Sequence, residues 1–557
     1  MSIPEEGAVL CKGLNQEAGV VFYNGKVITV DPKNSIKQAV AVSGNRITAV
    51  GTNEEALALA GENTRRIDLG GRTLMPGLID SHYHPILYGL LEPGGDGAMI
   101  DIFYRNCKTL AACFDVLKEA VALRKKDEWI SLFGYEPSLF PENRHPTLEE
   151  LDAIAPDNPV QFMHGGGHIC MYNTRALAYL DVCSAGDAGK YPSGEVVTEN
   201  GKLTGMVRGH THFRLWGKVN YPEAAQEKAA MKAHRRCLEK GITSIHDCGE
   251  MGKTSIHLMQ KLCRTGKFKV RVNMMLHSIF GKPYSKEMNA HWLELGFLSG
   301  LGDEHFRMGA CKFMIDGGSG GPSCATREPY SHDPTLTGER GWEREEAAEY
   351  IEMIHNAECQ ATAHAIGDLA VEFMVEGYEK AFAKNPRPDL RHRIEHCTLV
   401  DADLVKRMAK MNICPSVNVS CLQKLGIKMR DFYGERNKYL CAIRTMLDEG
   451  VMCSLHSDLP SYEDGLTLID AAVNRYDRMN NFQCDKTQAV SVLEAIRCAT
   501  YNGAYASFEE TKKGSLEAGK LADIIVLSDN ILGIDPMNIP SLSVDMTMID
   551  GIIEYQR

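Results

Sequence analysis

Met75-Pro76-Gly77-Leu78-Ile79-Asp80-Ser81-His82-Tyr83-His84-Pro85 is an apolar run that ends in two histidines at i and i+2. In a β-strand such positions share a face, so both imidazoles leave one strand end side by side and can hold one metal ion. Histidine pairs of this kind also occur on surfaces and in cores. The remainder of the chain decides whether further ligands converge on them.

Outward from this run, eight candidate strands stand at 76–80, 242–247, 270–275, 309–316, 360–364, 392–396, 412–416 and 451–458. Amphipathic stretches separate most of them. The stretch 343–357 opens among acids, as a helix N-terminus prefers, and 222–240 runs into Gly241 as a C-terminal stop. Strands alternating with helices predict a parallel sheet, and eight of them predict an α/β fold built on a (β/α)8 TIM-type barrel over residues 76–509. The gap between the first and second strands is too long for one crossover, so roughly residues 95–225 form an inserted α+β subdomain over the active face.

Both chain ends have a different texture. Residues 20–30 read as a hairpin turning at Asn24-Gly25, and 39–42 and 46–50 continue it. Residues 522–527 and 546–555 are strands, the latter turning at Asp550-Gly551. A β-sandwich domain assembled from 18–75 plus 510–557 follows. The first dozen or so residues read as a loose leader.

The chain has 557 residues, 44% of them hydrophobic, and a formal net charge of −12. Such an acidic balance argues against nucleic acid as a partner and suits a small-molecule substrate. The 18 cysteines include no Cys-x-x-Cys and sit mostly in apolar runs, which reads as buried thiols in a reducing compartment. No secretory signal and no membrane-length apolar run stands out, so a cytoplasmic enzyme, as monomer or homo-oligomer, is the expectation.

In a barrel of this kind chemistry lies at the C-terminal ends of the strands. Those ends supply His82 and His84, then Lys312, His364, His396 and Asp458. Imidazoles with an acid and a lysine suit borderline divalent cations such as zinc, manganese or nickel. A lysine inside an apolar strand needs a partner. His246-Asp247, at the second strand's end, reads as supporting structure, and Asp368 as a helix cap.

The runs Leu74–His84, Cys311–Gly317, His364–Asp368, Arg393–His396, His456–Pro460 and Gly514–Asp523 together resemble the amidohydrolase superfamily, and within it the family 3 branch. The resemblance spans roughly residues 20–555. It implies a binuclear site: His82 and His84 on the more buried metal, His364 and His396 on the more exposed one, a carboxylated Lys312 bridging both, and Asp458 as ligand and proton shuttle. Two zinc ions are implied first, with manganese, nickel or iron(II) as alternatives. The implied reaction is hydrolysis of a non-peptide C–N bond (amide, N-acyl or N-formyl) by a metal-bridging hydroxide. His168, in a glycine run that faces the pocket in this family, is a candidate for substrate contact. So are the insert's Tyr135 and Asp316 at the head of the glycine-rich loop.

A deaminase of the same superfamily is the second reading, and a metal-dependent decarboxylase or isomerase the third. Adenosine-type deaminases carry a glutamate three residues after the fifth-strand histidine, where this chain has Gly367. A non-catalytic metal-binding pseudoenzyme is the fourth, and the intact ligand positions weigh against it. The run Pro415–Cys421 departs from the Gln-Pro-type residues of the family pattern, which blocks transfer of any particular substrate.

Overall fold

The computed structural model describes residues 17–557 apart from 193, 194, 250, 251, 279–281 and 388. The expected leader lies outside the described residues. Eight strands form one parallel sheet in chain order: β1 (Leu78–Tyr83), β2 (Ile242–Asp247), β3 (Arg271–Leu276), β4 (Phe306–Met314), β5 (Ala361–Ala365), β6 (Arg393–His396), β7 (Cys414–Asn418) and β8 (Ser454–His456). Every residue of β2 and β3 is buried, as expected of strands covered on both faces. The helix Glu223–Glu239 feeds β2 through Gly241, whose φ of +74° suits glycine. The helix Asp368–Lys384 leaves β5 directly after His364. Asp368 is its first residue rather than its cap, and accepts from the Arg327 N–H at 3.0 Å.

The ring closes between β8 and β1 through a short set of polar contacts. The Asp458 N–H donates to the His82 carbonyl at 3.1 Å. Ser457 donates its N–H and hydroxyl to Asp80 at 3.1 and 2.6 Å. Burial raises the Asp80 carboxyl to about 8, while the Ser457 donors pull the other way. These bonds set the strand ends that carry His82 and Asp458 side by side.

Two sheets built from the chain ends pack face to face. One has the order Arg46–Gly51, Ala39–Ser43, Val20–Tyr23, Arg65–Asp68. The other runs Ile552–Gln556, Val544–Ile549, Ile524–Leu527, Thr73–Pro76, Lys26–Ile28, Ile36–Lys37. Phe22, Val40, Leu74, Ile524 and Met548 fill the space between them. The Asn24-Gly25 turn corrects the hairpin reading. Val20–Tyr23 pairs with Ala39–Ser43 and Arg65–Asp68, whereas Lys26–Ile28 pairs in the other sheet. The turn hands the chain from one sheet to the other, because strand partners on both sides bury more than a lone hairpin could.

The insert holds a seven-stranded sheet between Leu91 and Arg208. Its strands include Ile130–Tyr135 and Val160–His164, and Leu117, Leu132 and Phe162 belong to a core of its own. The helix Gly209–Trp216 brings the chain back over the barrel mouth.

Barrel and sandwich are tied by a buried guanidinium. Arg271 at the start of β3 reaches Asp523 at 2.7 Å and Asp550 at 2.6 Å, both beyond residue 510. Removing one side of a buried pair leaves the other charge without compensation. Arg271→Ala is therefore expected to cost ~3–5 kcal/mol, read as a lower denaturant midpoint. An unchanged midpoint would show that the carboxylates find solvent instead.

Candidate metal centre

His82, His84, Lys312, His364, His396 and Asp458 line one cavity at the C-terminal ends of the strands. They come from β1, β4, β5, β6 and the turn after β8, so the barrel alone converges them. His168 lines the same cavity from the insert, its ring 4.9 Å from that of His364. Two other expectations are corrected. Tyr135 is buried, packs on Phe162 and bonds His145 at 2.8 Å, away from the cavity. Asp316 spends its oxygens on the N–H groups of Ala325, Ile366 and Gly367 at 2.8 to 3.0 Å, joining the loops after β4 and β5. Burial raises its carboxyl to about 7 against those three donors.

At His82, His364 and His396 the ring nitrogen facing away from the cavity is engaged. His82 Nδ1 stands 2.8 Å from Glu395 Oε2. Glu395 is held in turn by Arg393 at 2.8 and 3.1 Å and by the Thr362 hydroxyl at 2.7 Å. Burial alone would raise the Glu395 carboxyl, yet the Arg393 guanidinium keeps it below its ordinary value. The carboxylate therefore takes the Nδ1 proton and leaves His82 Nε2 with its lone pair inward. His364 Nε2 bonds the Gly317 carbonyl at 3.0 Å; a carbonyl only accepts, so Nδ1 carries the lone pair.

His396 is set by a longer chain. His396 Nδ1 meets His456 Nε2 at 3.1 Å, and His456 Nδ1 meets Ser416 Oγ at 2.8 Å. Ser416 meets Ser81 Oγ at 2.7 Å, and the Ser81 hydroxyl donates to the Leu455 carbonyl at 2.8 Å. Only one assignment gives every contact a proton. Ser81 donates to Leu455, Ser416 to Ser81, His456 to Ser416 and His396 to His456. His396 Nε2 is then free to ligate.

The donor set fits divalent cations. His84 Nε2 and His82 Nε2 lie 3.4 and 3.6 Å from Asp458 Oδ1. Two ligand atoms on one tetrahedral cation at ~2.1 Å stand ~3.4 Å apart. Burial, the largest cause in each case, holds His82, His84, His364 and His396 below the ordinary imidazole range and favours the neutral form that metal ligation needs. Lys312 Nζ is 3.3 Å from His82 Nε2, at the centre of the group. The backbone of His396 (φ 71°) and Asp458 (φ 58°) is left-handed, a conformation that costs ~1–3 kcal/mol at a non-glycine residue.

Sequence reasoning passed over several of these side chains. Arg393 and Glu395 are opposite charges two apart on a buried strand, a signal that was present. His277 lines the cavity one residue beyond β3 and was missed because that strand was ended early. Phe213 and Trp216 roof the cavity from the insert, with no motif to announce them. His246 lies beneath, its Nδ1 2.8 Å from Arg393 Nη1.

Glu395→Gln is expected to weaken metal affinity by ~10–100-fold, since it no longer fixes the His82 tautomer. Competition with a chelator on the folded variant measures this, and wild-type affinity would reject the role.

A family model described as amidohydrolase family matches residues 65–555. The Bacillus subtilis (strain 168) protein YtcJ is 27% identical over 96% of this chain and 99% of its own. N-substituted formamide deformylase of Arthrobacter pascens is 27% identical over 98% of this chain and 99% of its own. A solved structure described as an uncharacterized metal-dependent hydrolase from Pyrococcus horikoshii OT3 superposes with a TM-score of 0.71 at 22% identity, covering 96% of this chain and 100% of that one. With strands, cavity and family model agreeing over most of its length, the chain belongs to the amidohydrolase family.

Proposed function

We propose that this chain is a metal-dependent hydrolase of a non-peptide C–N bond, in an amide, N-acyl or N-formyl substrate. The observation that carries this reading is the convergence of His82, His84, Lys312, His364, His396 and Asp458 on one cavity. The full-length likeness to N-substituted formamide deformylase supports the choice of bond.

His82, His84 and Asp458 would hold one divalent cation and His364 and His396 a second, with Lys312 between them in carboxylated form. Zinc suits the nitrogen-rich set, and manganese, nickel or iron(II) are compatible with it. Divalent cations there supply Lewis acidity, which acidifies a water and polarises a carbonyl. The other roles fall to the chain's own groups. Asp458, with its side chain 20% exposed, reaches the cavity and the solvent edge. It takes the proton of the attacking water and returns it to the departing nitrogen. His168, Phe213 and Trp216 cover the cavity from the insert and exclude bulk water. Gly367 stands where an adenosine-type deaminase needs its glutamate, and a Cβ there would lie 1.9 Å from the Ala325 carbonyl oxygen. The deaminase reading therefore lacks both the acid and the room for it.

Two outcomes test the reading. Lys312→Ala should lose most bound metal by elemental analysis, and retention of two metals per chain would contradict a shared bridging ligand. Asp458→Asn should slow release of formate or acid from an N-formyl, N-acyl and cyclic-amide panel by ~10²–10⁴-fold. Near-normal turnover would remove Asp458 as the proton carrier.

A further inference from the structure

The cavity around the ligand set is about 80 Å³, room for a scissile group and little else. Pro460 and Ser461 form a wall that it shares with a second cavity of about 280 Å³. This second space adjoins the ligand set and has room for the group attached to the scissile bond. Phe103, Tyr104 and Tyr462 give this second space apolar sides. Ser420 and Lys424 enter it from the segment after β7; Ser420 belongs to the run Pro415–Cys421, where the sequence departs from the family pattern, and Lys424 follows it.

The charges on its wall are nearly all matched. Arg105 pairs with Asp101 at 2.5 Å, Arg478 with Asp470 at 2.6 Å, and Glu463 with Arg236 at 2.8 Å. Glu136, the acid whose field most favours the Lys424 ammonium, is already bound to Lys428 at 2.9 Å and to His164 at 3.3 Å. Lys424 is the exception. Its Nζ lies 5.3 Å from the Phe103 ring centre and 5.8 Å from that of Tyr462, and among the described residues no carboxylate stands within ion-pair distance of it. Ser420 Oγ, four residues earlier, is buried without a hydrogen-bond partner. An unmatched cation and an unmatched hydroxyl on one wall both call for an acceptor that the protein does not supply.

We infer that Ser420 and Lys424 are the anion-binding end of the substrate pocket, and that the substrate carries a carboxylate on the part remote from the scissile bond. This rests on the hydrolase reading above for which bond is broken. One ammonium and one hydroxyl match a monoanion. The flanking rings match an apolar body between carboxylate and amide, and they strengthen the cation's hold by limiting its hydration.

N-formyl-4-(aminomethyl)benzoate and N-formylbenzylamine differ only in a carboxylate held across the ring from the amide and make the test. Calorimetric titration into the metal-loaded full chain should show the acid bound at least about tenfold tighter than the neutral compound. Lys424→Met should abolish that preference, Lys424→Arg should retain part of it, and Ser420→Ala should reduce it. Equal affinities in the wild type, a preference that survives Lys424→Met, or failure of the acid to bind would overturn the inference. Formate release, followed in parallel, reports on the hydrolase reading by itself. A charge preference in binding without formate would sink that reading and leave the anion pocket standing, and formate from both compounds at equal efficiency would do the reverse.

Discussion

The Glu395 carboxylate, buried on the barrel axis between the Arg393 guanidinium and the His82 ring, is the contact on which the site depends. An unpaired charge at that depth would be untenable. Here both oxygens are met, by Arg393, Thr362 and His82. Arg393 also bonds the Ser81 carbonyl at 2.8 Å and meets His246 at 2.8 Å, so one guanidinium links β6 to β1 and β2. The network closes the barrel floor and decides which nitrogen of His82 faces the cavity. Structure and ligand chemistry are the same set of bonds.

Much of the fold was legible because parallel barrel strands are apolar on both faces and their helices start and stop at ordinary signals. The edges were less so. β4 begins at Phe306, ahead of the expected 309, because Arg307 interrupts the apolar run. Its charge is met by Glu509 at 3.4 Å, which no local pattern reveals. The Asn24-Gly25 turn was read correctly as a reversal, but a turn does not say which sheet receives the next strand.

The convergence of the proposed ligand positions on one cavity was legible for a related reason. Strand ends of a closed barrel point at one mouth, so residues hundreds of positions apart can be matched by register alone. Contacts supplied by the insert follow no such rule. Tyr135 looked like a pocket aromatic but belongs to the insert's own core, whereas Phe213 and Trp216 reach the cavity from a helix with no marking in the sequence. His456 was read only as part of a motif. Its role as partner to His396 depends on Ser416 and Ser81, which lie on two other strands.

Charge balance argues for the form of Lys312. The imidazoles are held neutral by burial, and Glu395 is cancelled by Arg393. Asp458 is then the one uncompensated anion among the proposed ligands. Two dications beside a single carboxylate and an ammonium would leave a large positive excess in a cavity of about 80 Å³, where water cannot screen it. A carbamate at Lys312, as proposed, would reverse the sign of the central group and would give such a pair a second anionic ligand. The Lys312 stem runs from β4 to the imidazole cluster and sets Nζ 3.3 Å from His82 Nε2, the position from which a carbamate would reach both proposed metal sites.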